Sequence, residues 1–523
     1  MSGARLAIAG DDQAMPQRAI LVGHGRGTQS LGVQLDRRDL GDDGFILKTI
    51  GSRLIVAGPG ARGTMYGCTT LLEKLGVRWL TPTVAHMPHL QTIALPELNE
   101  TDLPAFENRD ISFTEAENRD WAARLRLDGQ SAPLDASTGG KIVYGRFVHT
   151  FDELIPRGLF DTHPEYFPLI KGKRTGGYVQ RCLSNPDVLR IAIAGVREWI
   201  TRRPDALIYS VSQNDTINFC ECDKCRAIAD RYGGQSGLYI WFVNQVADAI
   251  GRDHPDKLID TLAYQFTEAP PHGIAPRGNV RVRLCPIDCC SAHPYETCAT
   301  PQDRAFLEHL RGWGRITHSL YIWHYGTDFS NYLLPFPDFG EFPADIRLYQ
   351  RSGVKGIFIE GDYAPGGGGS DAELRTYVAA HLMWDPALNA DALVNDWMKG
   401  VYANAWEPMR QWFDLLHEKA RDSNHHFFIW ADASADYLGG DVLPRGTALL
   451  EDAAQRAAGD PVASDYVAKS RLWLDYARLL RPGASAAELD HFLARLHLRG
   501  IRNARESQTV DQWAREYRSR QVR

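Results

Sequence analysis

The chain has 523 residues, 44% of them apolar, and a formal net charge of −7. That length predicts more than one domain, with enough apolar material for sizeable cores. Both signs of charge are spread along the chain, which argues against the concentrated basic face a nucleic-acid partner would need, and no run of about eighteen apolar residues is present to cross a membrane.

The N-terminal text MSGARLAIAGDDQ has no signal-peptide core. Cytoplasmic residence, or export followed by processing, are both compatible with it. Residues 1–103 contain strand-like runs (RAILVGHG, GFILKTIG, RLIVAGPG) and an amphipathic helix over Thr64–Leu75, so a small α/β N-terminal domain is expected. Gly58, Gly60 and Gly63 match the GxGxxG spacing of a dinucleotide site. The acidic strand end that should follow about twenty residues later is missing, since that stretch reads VRWLTPTVAH. A tight strand–turn–helix joint is the better reading.

Residues 104–388 alternate short apolar runs with helical stretches. Strands are expected near Asn108–Phe113, Ile142–Val148, Tyr166–Lys171, Ala206–Ser212, Leu258–Phe266, Val280–Pro286, Ser319–Tyr325 and Val354–Glu360. Helices fit Pro186–Arg202, Ser236–Arg252 and Pro301–Trp313. This count and length suit a (β/α)8 barrel of the TIM type within an α/β fold. Residues 389–523 show apolar positions at helical spacing and predict an α-helical C-terminal domain. The locally basic tail, RNARESQTVDQWAREYRSRQVR, reads as a solvated helix face.

In such barrels the reactive groups sit at the C-terminal ends of the strands. Read that way, the rim offers Arg109, Glu115, His149, Gln213, Asn214, Asp215, Glu268, Asp288, His324, Tyr325, Asp328, Asn331 and Glu360. Carboxylates, amides and aromatic rings in this mixture suit sugars: rings stack on C–H faces, amides bind hydroxyls, and two carboxyl groups cleave a glycosidic bond. Each also has a plain structural reading. An Asp after a strand often caps a helix, and a Glu ending an apolar strand needs a partner.

Nine cysteines are present, and eight of them lie between Cys182 and Cys298. Cys220, Cys222 and Cys225 form a CxCxxC corner directly after Asp215. Disulfides, a structural metal site of four thiolates, or free thiols all remain open, with Cys182, Cys285, Cys289 or Cys290 as a fourth ligand. A catalytic metal is not expected.

GTMYGCTTLLEKLGVRWLTPT (63–83) resembles the N-terminal domain of α-glucuronidases and β-N-acetylhexosaminidases. SVSQND…CECDKC, RLCPIDCCSAHP, YIWHYGTDFSNYLLPFPD and AELRTYVAAHLMWDP together resemble the bacterial family called domain of unknown function 4838, over residues 40–405. That resemblance implies a glycoside-hydrolase-like barrel between an α/β domain and a helical tail, and an extracytoplasmic or polysaccharide-utilisation role. Two departures stand out. Phe358-Ile359-Glu360-Gly361 stands where the family often reads FEQG, which shifts the acid by one position and so to the other strand face. Asp288 stands where Glu is common, and Asn214-Asp215 where hexosaminidases carry Asp-Glu.

The expectation is an exo-acting glycoside hydrolase of poly- or oligosaccharides, α-glucuronidase-like or hexosaminidase-like. Asp215 would be the general acid, Asp288 the base or nucleophile and Glu360 the reserve. Arg109, His149, Gln213, Asn214, His324, Tyr325, Asp328 and Asn331 would bind sugar, Arg109 pairing with a uronate carboxylate. A uronic-acid lyase using a histidine base and a non-catalytic glycan-binding protein are the alternatives. No cofactor and no membrane partner are expected, and monomer or homodimer is left open.

Overall fold

A computed structural model describes residues 1–422, 424–432 and 435–521. Strands β1 (Ala19–Val22), β2 (Phe45–Ile50), β3 (Arg53–Ala57) and β4 (Asn99–Asp102) form a sheet in the order β1-β3-β2-β4. β2 and β3 join through a two-residue turn in which Gly51 takes φ 60°, the left-handed conformation such a hairpin requires. Strands β5 (Asn108–Ser112), β6 (Tyr144–Arg146), β7 (Ile208–Ser210), β8 (Leu258–Ala263), β9 (Val280–Leu284), β10 (Leu320–Tyr325) and β11 (Gly356–Glu360) make the large sheet, in the order β5-β11-β10-β9-β8-β7-β6. It is a parallel sheet curled as half a barrel, and the fold is α/β and TIM-like.

Among the described residues the large sheet therefore has seven strands where eight were expected. The segment predicted as Tyr166–Lys171 forms instead a two-residue antiparallel hairpin, Leu169–Ile170 with Lys173–Arg174. Lys171 and Gly172 sit at φ 47° and 78°, so the chain reverses there and cannot run on as a sheet strand.

The chain divides into two compact units. The first comprises Met1–Lys141, Gly326–Ile346 and Glu360–Arg523. Residues 1–103 and 389–523 lie wholly within it, while residues 104–388 are shared between the two. Its N-terminal sheet buries Phe45, Leu47, Val56, Tyr66 and Leu71 together with Trp384, the last residue of the helix Ala372–Trp384. The Trp384 ring stacks on Phe45 at 5.9 Å and meets the Tyr66 ring edge-on at 5.5 Å. The glycine motif packs against backbone: a Cβ on Gly58 or Gly63 would strike the carbonyl of Gly44. It is a close-packed joint. Helices Ala390–Tyr402, Trp406–Ala420, Val442–Ala457, Pro461–Leu479 and Ala486–Leu498 follow.

The second unit comprises Ile142–Tyr325 and Arg347–Ile359. It holds β6 to β10 and the apolar length of β11, with helices Pro186–Arg202, Asp223–Arg231, Gln235–Asp253 and Pro301–Ile316 between them. The side chains of Asn185 and Thr300 cap the first and last of these, each with proline at the first helical position. Inside the curl lies a buried ionic pair, Arg283 with Asp260 at 3.5 Å, and Arg283 also donates to the Tyr144 hydroxyl at 2.5 Å. Among the described residues no helix is long and apolar enough to cross a membrane.

Candidate active site

In the second unit, β7 ends at Ser210 and the chain turns into Val211-Ser-Gln-Asn-Asp215. Gln213 and Asn214 are buried and committed to the scaffold. Gln213 Nε2 donates to the Tyr264 carbonyl at 2.9 Å and to Thr267 Oγ1 at 2.8 Å. Asn214 Nδ2 donates to Asp152 Oδ1 at 2.7 Å and to the Val179 carbonyl at 2.8 Å. Both were expected to bind sugar, but neither reaches solvent. Both instead hold the loop that presents Asp215, whose carboxylate is exposed.

Asp215 is gripped from three sides. Its backbone N–H donates to the Tyr178 hydroxyl at 2.9 Å. The Tyr264 hydroxyl donates to its Oδ1 at 3.0 Å and accepts from Gln265 Nε2 at 3.0 Å. Gln180 spans the residues on either side, donating to the carbonyls of Asn214 and Thr216 at 2.7 and 2.5 Å and accepting from Asn214 N at 3.0 Å. His149, after β6, reaches the same loop: its N–H donates to Ser212 Oγ at 2.9 Å, and its Nδ1 lies 2.8 Å from the Gln213 carbonyl. A carbonyl only accepts, so the neutral ring carries its proton on Nδ1 and its lone pair on Nε2.

Two non-glycine residues at these strand ends are held in the left-handed backbone region, His149 at φ 58° and Gln265 at φ 52°. Such conformations cost of order 1–3 kcal/mol each and collect where surrounding structure fixes a functional geometry. An aromatic and apolar cluster lies at the same ends of the strands: Leu262, Tyr264, Cys285, Trp323 and Phe358, with Phe147, Ile287 and Tyr325 against them. Tyr264, Gln265, Tyr178 and Gln180 were not singled out from the sequence. Tyr264 and Gln265 follow β8 immediately, which is the signal that could have found them.

Asp288 is exposed in the turn after β9. His324, in β10, is buried with Nδ1 3.1 Å from the Tyr349 hydroxyl, and Tyr325 is half-buried beside the cluster. Glu268 pairs with His309 at 2.9 Å and its carbonyl accepts from Trp313, so it serves the packing of the helix Pro301–Ile316.

The remaining sequence candidates lie in the first unit. Arg109 is fully buried, and its guanidinium is taken up inside the fold. It donates to Asp43 Oδ2 at 2.8 Å, to the Arg126 carbonyl at 2.8 Å and to the Phe106 carbonyl at 2.7 Å, and lies 3.3 Å from Asp128. It is spent on these carboxylates, not presented to a sugar. Asn331 bonds the Ala431 carbonyl and the Tyr476 hydroxyl at 2.8 Å each, which makes it a core residue. Asp328 accepts from Ser330 N at 2.9 Å, and burial raises its carboxyl well above the ordinary range. Glu360 is half-buried at the end of β11. Two residues further on, Asp362 is pushed up to about 8, first by burial and then by the negative charge of Glu115. Glu115 itself accepts from Gly368 N at 2.9 Å.

Cys220, Cys222 and Cys225 converge with Cys182 in the second unit, and no disulfide links them.

The family model described as Domain of unknown function (DUF4838) matches residues 79–414. The chain belongs to this family. No curated protein matches this DUF4838 protein. Among solved structures it is similar to a GH138 enzyme targeting pectin rhamnogalacturonan II (11% identity, TM-score 0.43, covering 96% of this chain and 78% of that one). It is also similar to a mutant O-GlcNAc hydrolase of Thermobaculum terrenum (11%, TM-score 0.39, 80% and 95%). A third is a GH89 protein of Clostridium perfringens in complex with GlcNAc-α-1,4-galactose (10%, TM-score 0.48, 88% and 59%). At identities this low the likeness says nothing of the substrate.

Proposed function

We propose that this DUF4838 protein is a glycoside hydrolase whose general acid is Asp215. One observation carries the reading: an exposed carboxylate at the C-terminal end of a parallel strand, aimed by a tyrosine hydroxyl and pinned through its neighbours by Gln180. A group meant only to cap a turn would not need this support. In its protonated form Asp215 donates to the glycosidic oxygen as the bond to the anomeric carbon breaks. Asp288, ionised, either activates water or attacks the anomeric carbon, and the separation of the two carboxyls decides between inversion and retention. Tyr325, half-buried beside the aromatic cluster, supplies a face for the sugar ring, and His149 a polar contact. The action proposed is exo-cleavage of an oligo- or polysaccharide.

A second reading rests on His149. Its lone pair on Nε2 is held in place by the Gln213 carbonyl, which suits a base abstracting the proton next to a uronate carboxyl, as in a lyase. Incubation with a panel of plant, algal and host glycans and aryl glycosides separates the two. Free reducing sugar without new ultraviolet absorbance supports hydrolysis. An unsaturated, absorbing product supports elimination instead, and binding without any product contradicts both.

A further inference from the structure

Cys182, Cys220, Cys222 and Cys225 come from two stretches of chain and meet with all four sulfurs within 4.8 Å of one another. Three of the four are buried and Cys222 is half-buried. Cys182 Sγ lies 3.7 Å from Cys222 Sγ and 3.8 Å from Cys225 Sγ. A disulfide requires about 2.05 Å and pairs sulfurs two by two; here one sulfur is equally distant from two others. Four thiolates around zinc at about 2.3 Å form a tetrahedron whose edges are roughly 3.8 Å.

The surroundings match that charge. The Leu169 N–H points at Cys220 Sγ from 3.3 Å, and Arg174 Nη1 lies 3.9 Å from the same sulfur. Cys225 lies in the first turn of the helix Asp223–Arg231, where the positive end of the helix dipole favours a thiolate. The hairpin Leu169–Arg174, which replaced the expected third strand, is thus the element that lays its backbone against the cluster.

We propose that these four cysteines bind a structural zinc ion as thiolates. All coordination positions are filled by protein, so the ion performs no chemistry; binding releases the thiol protons to solvent. What the ion does is close a loop. Cys182 stands two residues after Gln180 and Cys220 five residues after Asp215, so the metal ties the stretch that carries Gln180 to the stretch that Gln180 clamps. The zinc assignment stands whether or not Asp215 is a catalytic acid, because metal content is read without substrate.

The test is elemental analysis of the purified full chain, grown with zinc and dialysed, beside Cys222→Ser and Cys68→Ser. The expected result is one zinc per chain in the wild type and in Cys68→Ser, and loss of most of it in Cys222→Ser. Because Cys222→Ser could fold poorly, the wild type is also titrated with a mercurial thiol reagent in the presence of a zinc-sensitive dye. Zinc should leave in step with thiol modification. Cobalt(II) exchanged into the wild type should give the intense visible bands of tetrahedral thiolate coordination. A metal-free reduced protein, a disulfide among these cysteines by mass spectrometry, undiminished zinc in Cys222→Ser, or an iron-bearing protein would each overturn the assignment.

Discussion

Gln180 is the residue through which the scaffold acts on the candidate acid. It satisfies three backbone groups next to Asp215 from one buried side chain. Gln180→Ala leaves those groups without partners, at about 1–3 kcal/mol for each one that water does not reach, and frees the loop. The expected outcome is a fall in kcat of up to about 10²-fold, the scale of a small misplacement, with KM changed far less and the far-ultraviolet circular dichroism preserved. An unchanged kcat would show that the clamp does not position the acid. Arg109 gives the opposite profile. Its removal takes the guanidinium from buried Asp128 and leaves Asp43 with Arg62 alone, so Arg109→Ala should lower stability by about 3–5 kcal/mol in denaturant unfolding. Sugar binding by whatever still folds should be unaffected. Sequence position alone had made Arg109 a uronate ligand. The carboxylates that claim it come from residues 19 and more positions away, and nothing local in the chain announces them.

Among the elements, the longer helices and most strands of the large sheet could be read from apolar periodicity, while Asp223–Arg231 and Phe342–Arg351 could not. The helix Pro186–Arg202 matches the expected bounds, and the seven strands of the large sheet fall within predicted segments, whereas β4 lies where no strand was expected. The third expected strand failed because the left-handed pair Lys171-Gly172 outweighs the apolar run before it. The helix Ala372–Trp384 falls inside the residues expected to form the barrel. Trp384 instead fills the core of the N-terminal sheet, a long-range packing choice that no sequence window contains. The segment after β11 supplies a pH prediction. Asp362 has its carboxyl raised from 3.8 to about 8, first by burial. The unfolded chain gives up this proton near 3.8 and the folded one only near 8, so the folded state binds more protons between them. Stability is therefore highest at the acid end of that window and declines as pH rises towards 8, after which this contribution levels off. Asp362→Asn should make the midpoint of thermal unfolding less dependent on pH across the window and raise it at pH 8. A dependence as steep as in the wild type would contradict the assignment.

For the whole molecule, the sequence showed an α/β chain with strand-end carboxylates and a cysteine corner, and the structure keeps both. Asp215, His149 and Asp288 could be picked out as strand-end residues because each stands within five residues of the end of an apolar strand. Gln213 and Asn214 were legible as neighbours of the site but not as its supports, since burial depends on the turn after β7. Tyr178 and Gln180 were hidden because their contacts with the Asp215 loop cross 34 to 37 positions of sequence, whereas Tyr264 was findable only by its place at the end of β8. The division of the expected barrel segment between two compact units also depends on contacts far apart in the chain.

The central claim, that Asp215 protonates the leaving group, is tested most directly by leaving-group dependence. Wild type and Asp215→Asn would be compared on a series of aryl glycosides of the sugar the wild type releases. Asp215 is exposed, so the variant should fold. The account predicts that hydrolysis of glycosides with poor leaving groups falls by about 10²–10⁴-fold, while those with strongly acidic phenols, which need no proton, lose little. An equal loss across the series, or no loss at all, would contradict it.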